Sequence, residues 1–447
     1  MDNKYFGTDG IRGKANDVLT ADRAFIVGRY LGWYFSKEKK QNIVIGKDTR
    51  LSSSMLESAL AAGITSEGCN AYLVGTCPTP AISYLVQNED FACGAMISAS
   101  HNPFYDNGIK IFSKDGLKLS ADVEALIEEY IDGKVSLDYK MDDAIGTVVP
   151  YEKGLEDYLS WVKKTFPYDL SGYKLAVDCA NGSSSVSAQN VLEALGATCT
   201  IINNTPDGIN INTKCGSTHP EALQELVKNG NYDLGLAFDG DADRMIMVAP
   251  NGELITGDHV LYVCGKHFRD QGRLNNNTIV TTVMANLGLF IALEKENIKV
   301  AQTKVGDKYV FEQMVQEDDI VGGEQSGHII FKEYEKTGDG LVTALEYLGI
   351  MKETEKDAVS LYDGLKIYPQ LLINVRVKDK DEAMQDSEVK EAIEQVNETL
   401  KGNGRLLVRP SGTEPLVRVM AEAETDDICA REVGKIVAIV KEKFGIE

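Results

Sequence analysis

Short apolar segments alternate with amphipathic ones through most of the chain, and the alternation starts afresh twice. The first round places a helix over residues 21 to 37, strand Ile43-Val44-Ile45, a helix over 54 to 67 and a strand over 71 to 74. That strand ends at the punctuation Pro78-Thr79-Pro80, and two more strands follow, Cys93-Gly94-Ala95-Met96-Ile97 and Ile109-Lys110-Ile111-Phe112. The second round opens at Leu175-Ala176-Val177-Asp178 and runs through a helix ending at 195, a strand over 199 to 202, a helix over 220 to 228 and strand Leu234-Gly235-Leu236-Ala237. The third opens at Thr278-Ile279-Val280-Thr281, with a helix over 287 to 293, strand Val300-Ala301, a helix over 307 to 315 and strand Asp319-Ile320-Val321. Strands alternating with helices need right-handed crossovers, so each round reads as an α/β domain with a mixed, mostly parallel sheet. No sequence period links the rounds, so their likeness is one of pattern. From about Tyr368 the pattern becomes an alternating strand over 371 to 377, a helix over 389 to 400, two short strands and a helix over 428 to 444, which reads as a C-terminal α+β domain.

With 447 residues the chain is too long for one core and suits about three or four domains. Its formal charge of -22 repels nucleic acid and anionic membrane surfaces, so neither is an expected partner. No apolar run approaches the ~18 residues of a membrane helix, and Met1-Asp2-Asn3-Lys4 lacks a signal-peptide core. A cytoplasmic location is expected. The eight cysteines contain no C-x-x-C pair and read as reduced structural thiols. If the substrate is anionic, its site must gather Lys and Arg against the global charge.

Four loops carry residues suited to such chemistry. Ser98-Ala99-Ser100-His101-Asn102-Pro103 follows an apolar strand and presents Ser100 on a tight turn, with His101 and Lys110 near enough in sequence to pass protons. An Asx-type turn capping the strand is the plain alternative. Ser100 falls at a strand's C-terminal end, where open α/β sheets bind ligands. Asp239-Gly240-Asp241-Ala242-Asp243-Arg244 sets three carboxylates at alternate positions, a hard-oxygen set for a divalent cation such as Mg²⁺, or else an acidic solvated turn. An EF-hand is excluded, because Arg244 and Pro250 stand where it needs glycine and glutamate. Glu324, Ser326 and His328 in Gly323-Glu324-Gln325-Ser326-Gly327-His328 offer donors and acceptors for sugar hydroxyls, although a histidine on such a turn also serves structure.

Arg409, Ser411, Gly412 and Thr413, with Arg418 on the next strand, suit a phosphate, and a simple turn between strands is the alternative. The glycine-rich segment Gly7 to Gly13 adds Arg12. Arg12, Lys110, Arg244, Arg409 and Arg418 make up the expected local excess of positive charge. The P-loop pattern is absent, so nucleotide binding is unsupported. A metal loop, a serine, a sugar loop and a phosphate cradle together describe phosphoryl transfer on a phosphosugar.

At these same four motifs, and across nearly its whole length, the sequence resembles the α-D-phosphohexomutase family. The resemblance implies four domains around a central cleft: 1–150 carrying a phosphoserine, 151–252 binding metal, 253–366 binding sugar and 367–447 binding phosphate. It implies that Ser100 donates and recovers a phosphoryl group, and that Asp239, Asp241 and Asp243 hold Mg²⁺ together with that phosphate. Lys110 resembles the family's proton-transfer lysine, with His101 and Arg12 beside it. Glu324, Ser326 and His328 resemble the sugar-recognition loop, and Arg409, Ser411, Gly412, Thr413 and Arg418 resemble the distal phosphate site; Arg244, read from its own place at the end of the metal loop, could point inward and help hold a phosphoryl group. The activity implied is interconversion of glucosamine 6-phosphate and glucosamine 1-phosphate through a 1,6-bisphosphate, on the route to UDP-N-acetylglucosamine and cell wall. Glucose or mannose phosphates are the alternative substrates, and a homodimer stays open. Two positions depart from the family pattern: Ala242 where glycine is frequent, and Lys308 where arginine is. A Mg²⁺-dependent phosphatase would need an aspartyl or water nucleophile, and Asp243 breaks the D-x-D-x-[TV] pattern. A binding protein without catalysis would need neither Ser100 nor the metal.

Overall fold

The computed structural model describes residues 4–7, 9–37, 39–411 and 415–446. It forms two compact units, one of residues 1–284 and 298–363, the other of 285–297 and 364–447.

The larger unit holds three sheets. The first contains β1 (Phe6–Gly7), β2 (Gly10–Lys14), β3 (Asn42–Lys47), β4 (Asn70–Thr76), β5 (Cys93–Ile97), β6 (Asp106–Ser113) and β7 (Val148–Pro150), in the order β1-β2-β6-β5-β3-β4-β7. The second contains β8 (Lys174–Asp178), β9 (Thr198–Ile202), β10 (Leu234–Phe238), β11 (Met245–Val248) and β12 (Leu254–Ile255), in the order β12-β11-β10-β8-β9. The third contains β13 (Thr278–Thr282), β14 (Lys299–Thr303), β15 (Val321–Gly323) and β16 (Ile329–Phe331), in the order β14-β13-β15-β16.

One pattern recurs in all three sheets. β3, β8 and β13 each lie between two parallel neighbours, β4 and β5, β9 and β10, β14 and β15. A fourth strand, β6, β11 or β16, then turns back antiparallel on the third. The pattern-level likeness expected from sequence is thus a shared topology. Strands β5, β10 and β13 are buried along their whole length, which is why they read as unbroken apolar runs rather than alternating ones.

Two long helices, α1 (Ala21–Phe35) and α2 (Ser53–Ser66), pack with β3 to β6 around Val27, Leu31, Leu60 and Ile64. The punctuation read at Pro78-Thr79-Pro80 is the start of a third helix, α3 (Thr79–Asn88), with a proline in its first turn where no amide partner is lost.

In the smaller unit, β17 (Gln370–Arg376), β18 (Gly404–Pro410) and β19 (Leu416–Ala423) form an antiparallel sheet in the order β17-β19-β18. Its core joins Val375, Val417 and Val419 to Val433 and Ile436 of the helix Asp426–Phe444. Among the described residues no helix is long and apolar enough to cross a membrane.

Candidate active site

The repeated topology places the three key loops of the larger unit at equivalent points. The Ser100 loop joins β5 to β6, the Asp239 loop joins β10 to β11, and the Glu324 loop joins β15 to β16. Each leaves the third strand of its repeat and enters the antiparallel fourth. The unit brings the three loops together.

Ser100 is 1% exposed, which corrects the expectation of a presented side chain. Its Oγ donates to Asp239 Oδ2 at 2.6 Å and lies 3.4 Å from His101 Nδ1. The backbone at Ser100 is left-handed, with φ of 51°. A serine is held in that region only when its surroundings over-determine it. Burial, then the Arg244 and Arg12 charges, push the His101 imidazole down to about 4.

The three aspartates are buried, and one carboxylate oxygen of each lies within 4.8 Å of the others. Such crowding of like charge needs a cation. Lys110 Nζ supplies part of it, at 2.6 Å from Asp241 Oδ2 and 3.1 Å from Asp243 Oδ2. Burial works against the Lys110 ammonium, but Asp241 and Asp243 outweigh it and raise the group. Burial and the neighbouring Asp243 and Asp241 charges push Asp239 well above the carboxylate range, whereas Lys110 overcomes burial to hold Asp243 well below it. Asp241 Oδ1 and Asp243 Oδ1 are buried without a hydrogen-bond donor. Hard, unsatisfied oxygens so close together fit a metal ion. Ala242, where glycine would be easier, takes φ of 58°, and Gly340 donates its amide to the Ala242 carbonyl at 3.0 Å.

Ser100, Asp243, Arg244, Glu324 and His328 line one cavity of about 120 Å³ together with Asp9, Arg12 and Asp307. Glu324 accepts the Gly306 amide at 3.1 Å, and Ser326 Oγ is buried without a partner. Gly338 donates to His328 Nε2 at 3.0 Å, which leaves the proton of the neutral ring on Nδ1, 3.6 Å from Asp243 Oδ1.

Sequence reasoning missed Asp9, Asp307 and Lys118. Lys118 Nζ bridges the other two, at 2.6 Å from Asp9 Oδ1 and 2.7 Å from Asp307 Oδ1. Only the position of Asp9 and Asp307 inside glycine-containing turns signalled them.

In the smaller unit, Arg409 on β18 and Arg418 on β19 are direct cross-strand partners. Burial and the Arg418 charge both push Arg409 below its ordinary value. Ser411 is buried and donates its amide to the Leu416 carbonyl at 2.9 Å. Gly412 and Thr413 lie outside the described residues.

Family profiles of phosphoglucomutase/phosphomannomutase match the chain four times: alpha/beta/alpha domain I over residues 3–137, domain II over 156–252, domain III over 256–368 and the C-terminal domain over 372–439. The chain belongs to this family of phosphohexomutases and is an isomerase. Its relatives include the phosphoglucosamine mutase of Lachnospira eligens, 50% identical over 98% of this chain and 99% of that protein. The phosphoglucosamine mutase of Bacillus subtilis is 48% identical over 99% and 100%. Among solved structures, a family protein from Burkholderia thailandensis matches with a TM-score of 0.80 at 23% identity, covering 100% of both chains. Aspergillus fumigatus N-acetylphosphoglucosamine mutase, in complex with GlcNAc-6P and magnesium, matches with a TM-score of 0.69 at 18% identity, covering 97% and 95%. At those identities the likeness is one of fold.

Proposed function

We propose that the chain interconverts glucosamine 6-phosphate and glucosamine 1-phosphate through a phosphorylated Ser100 and a glucosamine 1,6-bisphosphate. The observation that carries this reading is Ser100 Oγ at 2.6 Å from Asp239, inside a buried triad of carboxylates. Phosphorylated Ser100 gives its phosphoryl group to the free hydroxyl of the monophosphate: the Oγ–P bond breaks, a bond from phosphorus to the sugar oxygen forms, and the hydroxyl proton passes to the site. The bisphosphate turns round, its other phosphoryl group returns to Oγ, and the proton goes back to the sugar oxygen.

Asp239, Asp241 and Asp243, with the Ser100 phosphate, would hold one Mg²⁺, which when bound neutralises charge on the transferring group. His101, Lys110 and Arg12 move protons and balance charge. Glu324, Ser326 and His328 hold sugar hydroxyls and Arg244 the reacting phosphate, while Arg409, Ser411, Gly412, Thr413 and Arg418 hold the distal phosphate. The domains assigned to these tasks are 1–150, 151–252, 253–366 and 367–447. The names of the relatives and the magnesium in the Aspergillus complex support this reading. We place the enzyme in the cytoplasm, and light scattering decides between a monomer and a homodimer.

Ser100→Ala tests the reading. Wild-type protein should carry the mass of one phosphate that the variant lacks, and the variant should lose activity by orders of magnitude while staying folded. A coupled assay across glucosamine, glucose and mannose phosphates should favour glucosamine. Near-normal turnover by Ser100→Ala without added bisphosphate would overturn the assignment.

A further inference from the structure

The left-handed backbone at Ser100 raises the question of what holds it there. Asp48 and Arg50, in the turn after β3, form an ion pair whose side chains are 0% exposed, with Nε 2.7 Å from Asp48 Oδ2. Nothing in the reaction as derived above uses this pair. Asp48 Oδ1 accepts from the Arg50 amide at 3.0 Å and from Ser53 Oγ at 2.8 Å, and the pair's other side-chain hydrogen bonds go to the Ser100 loop and the start of β6. Arg50 Nη2 donates to the Ser100 carbonyl at 2.7 Å. Nη1 donates to the carbonyls of Pro103 and Asp106, the latter at 3.1 Å, so one guanidinium spans the loop from end to end. Asp48 Oδ2 accepts from Ser98 Oγ at 2.7 Å, and Ser98 Oγ accepts the Ser100 amide at 2.9 Å. The pair therefore reaches both sides of Ser100, its amide through Ser98 and its carbonyl directly.

A second donor comes from the segment between β9 and β10. Asn212 Nδ2 donates to the Ser100 carbonyl at 2.9 Å and to the Asn102 carbonyl at 3.1 Å. Asn212 is 8% exposed and its own φ is 58°. The Ser100 carbonyl thus receives one donor from its own sheet and one from the repeat that carries the aspartates. Were Ser100 to relax to negative φ, its carbonyl would leave both donors and Oγ would swing away from Asp239.

We propose that Arg50 and Asn212 are positioning residues for phosphoryl transfer, holding Ser100 in the left-handed conformation that aims Oγ at Asp239. The proposal rests on the reading of Ser100 as the phosphoryl carrier. Neither residue touches substrate or the reacting atoms in this role, so their removal acts on the transfer step and spares binding.

The test uses Arg50→Lys, which keeps the charge but cannot span three carbonyls, and Asn212→Ala, which deletes a loop side chain outside every strand and helix. Single-turnover transfer from phosphorylated Ser100 to glucosamine 6-phosphate, steady-state KM, Mg²⁺ affinity by calorimetry and melting temperature are measured together. Transfer should slow by about 10- to 100-fold in each variant, the scale of an ångström-sized misplacement. KM and Mg²⁺ affinity should stay within about twofold of wild type. Wild-type transfer rates in folded Asn212→Ala would overturn the proposal whatever Arg50→Lys does, as would KM and Mg²⁺ affinity worsening in step with the rate. A wild-type protein that carries no phosphate on Ser100 would instead overturn the reading of the site, and the positioning role with it.

Discussion

Lys110→Met tests how the aspartate triad balances its charge. The lysine stem is buried, and its ammonium lies 2.6 Å from Asp241 Oδ2 and 3.1 Å from Asp243 Oδ2. Methionine fills a similar volume without the charge. Breaking a buried ion pair by removing one partner costs about 3 to 5 kcal/mol. Here the cost falls on the metal-free protein, where two carboxylate oxygens within 4.8 Å of each other repel by at least about 3.5 kcal/mol at an effective dielectric near 20. A divalent cation on the same oxygens cancels that repulsion, so the metal-bound variant suffers less. If about 2 kcal/mol of the loss is recovered on binding, the Kd for Mg²⁺ falls by about 30-fold. Calorimetric titration with MgCl₂ should show this tighter binding, and the variant should melt below wild type without Mg²⁺ and close to it with Mg²⁺. Turnover should fall sharply, because the proposed mechanism also uses the lysine. Mg²⁺ binding no tighter than wild type, with an unchanged metal-free melting temperature, would refute the idea that ammonium and metal share the carboxylates.

Arg409→Ala should weaken binding of both monophosphates and cost roughly 2 to 5 kcal/mol in kcat/KM, while Ser100 phosphorylation and Mg²⁺ binding survive. Impairment of one substrate direction alone would contradict a shared phosphate site. Gly240→Ala would put a Cβ 2.5 Å from the Ser100 carbonyl, so a shift of about 1 Å should lower kcat by about 100-fold, and an unchanged kcat would refute the close fit. His259 caps the helix Gly257–Asp270, and burial lowers its imidazole to about 4 from an ordinary value of 6.5. The folded protein thus resists protonation that the unfolded chain accepts. The stability His259 contributes is complete above pH 6.5 and is lost as pH falls towards 4, by about 3 kcal/mol in all. Urea midpoints across that window should fall less steeply in His259→Gln, and an unchanged slope would contradict the assignment.

The elements that sequence reading found are those whose pattern is local. Strands β5 and β10 are continuous apolar runs closed by polar loops, and both stand where expected. Helix α3 escaped because Pro78 and Pro80 read as breakers, although a proline in the first turn is compatible with a helix. The helix Gly340–Thr354 is buried over most of its length, which removes the amphipathic stripe that would have revealed it. At the site, the aspartates and Ser100 were legible because each sits in a loop of distinctive chemistry. The burial of Ser100 was not, since it follows from the approach of Asp239, 139 positions away in the chain. Lys118 was invisible for the same reason, because its meaning lies in two carboxylates brought to it by separate sheets.

The charge pattern of the site explains how a chain of net charge -22 can host phosphates. Around the shared cavity the cations are already held by carboxylates: Arg12 by Asp9, Lys118 by Asp9 and Asp307, Lys110 by Asp241 and Asp243, and Arg244 beside Asp243. Self-neutralisation of this kind spares the empty site the cost of buried unpaired charge. It also means that a phosphate entering alone must compete with carboxylates for its donors. On the proposed mechanism, Asp241 and Asp243 would hold a divalent cation, and Lys110 and Arg244, restrained by the same carboxylates, would then be freer to face the phosphate. On that reading, metal and phosphate would each strengthen the other's binding by the same factor, as linkage requires. In the smaller unit, Arg409 and Arg418 are direct cross-strand partners, and burial and the Arg418 charge lower Arg409. On the proposed mechanism, the site beside the aspartate triad is the one where the phosphoryl bond is made and broken with the metal's help, and the arginine pair holds the far phosphate.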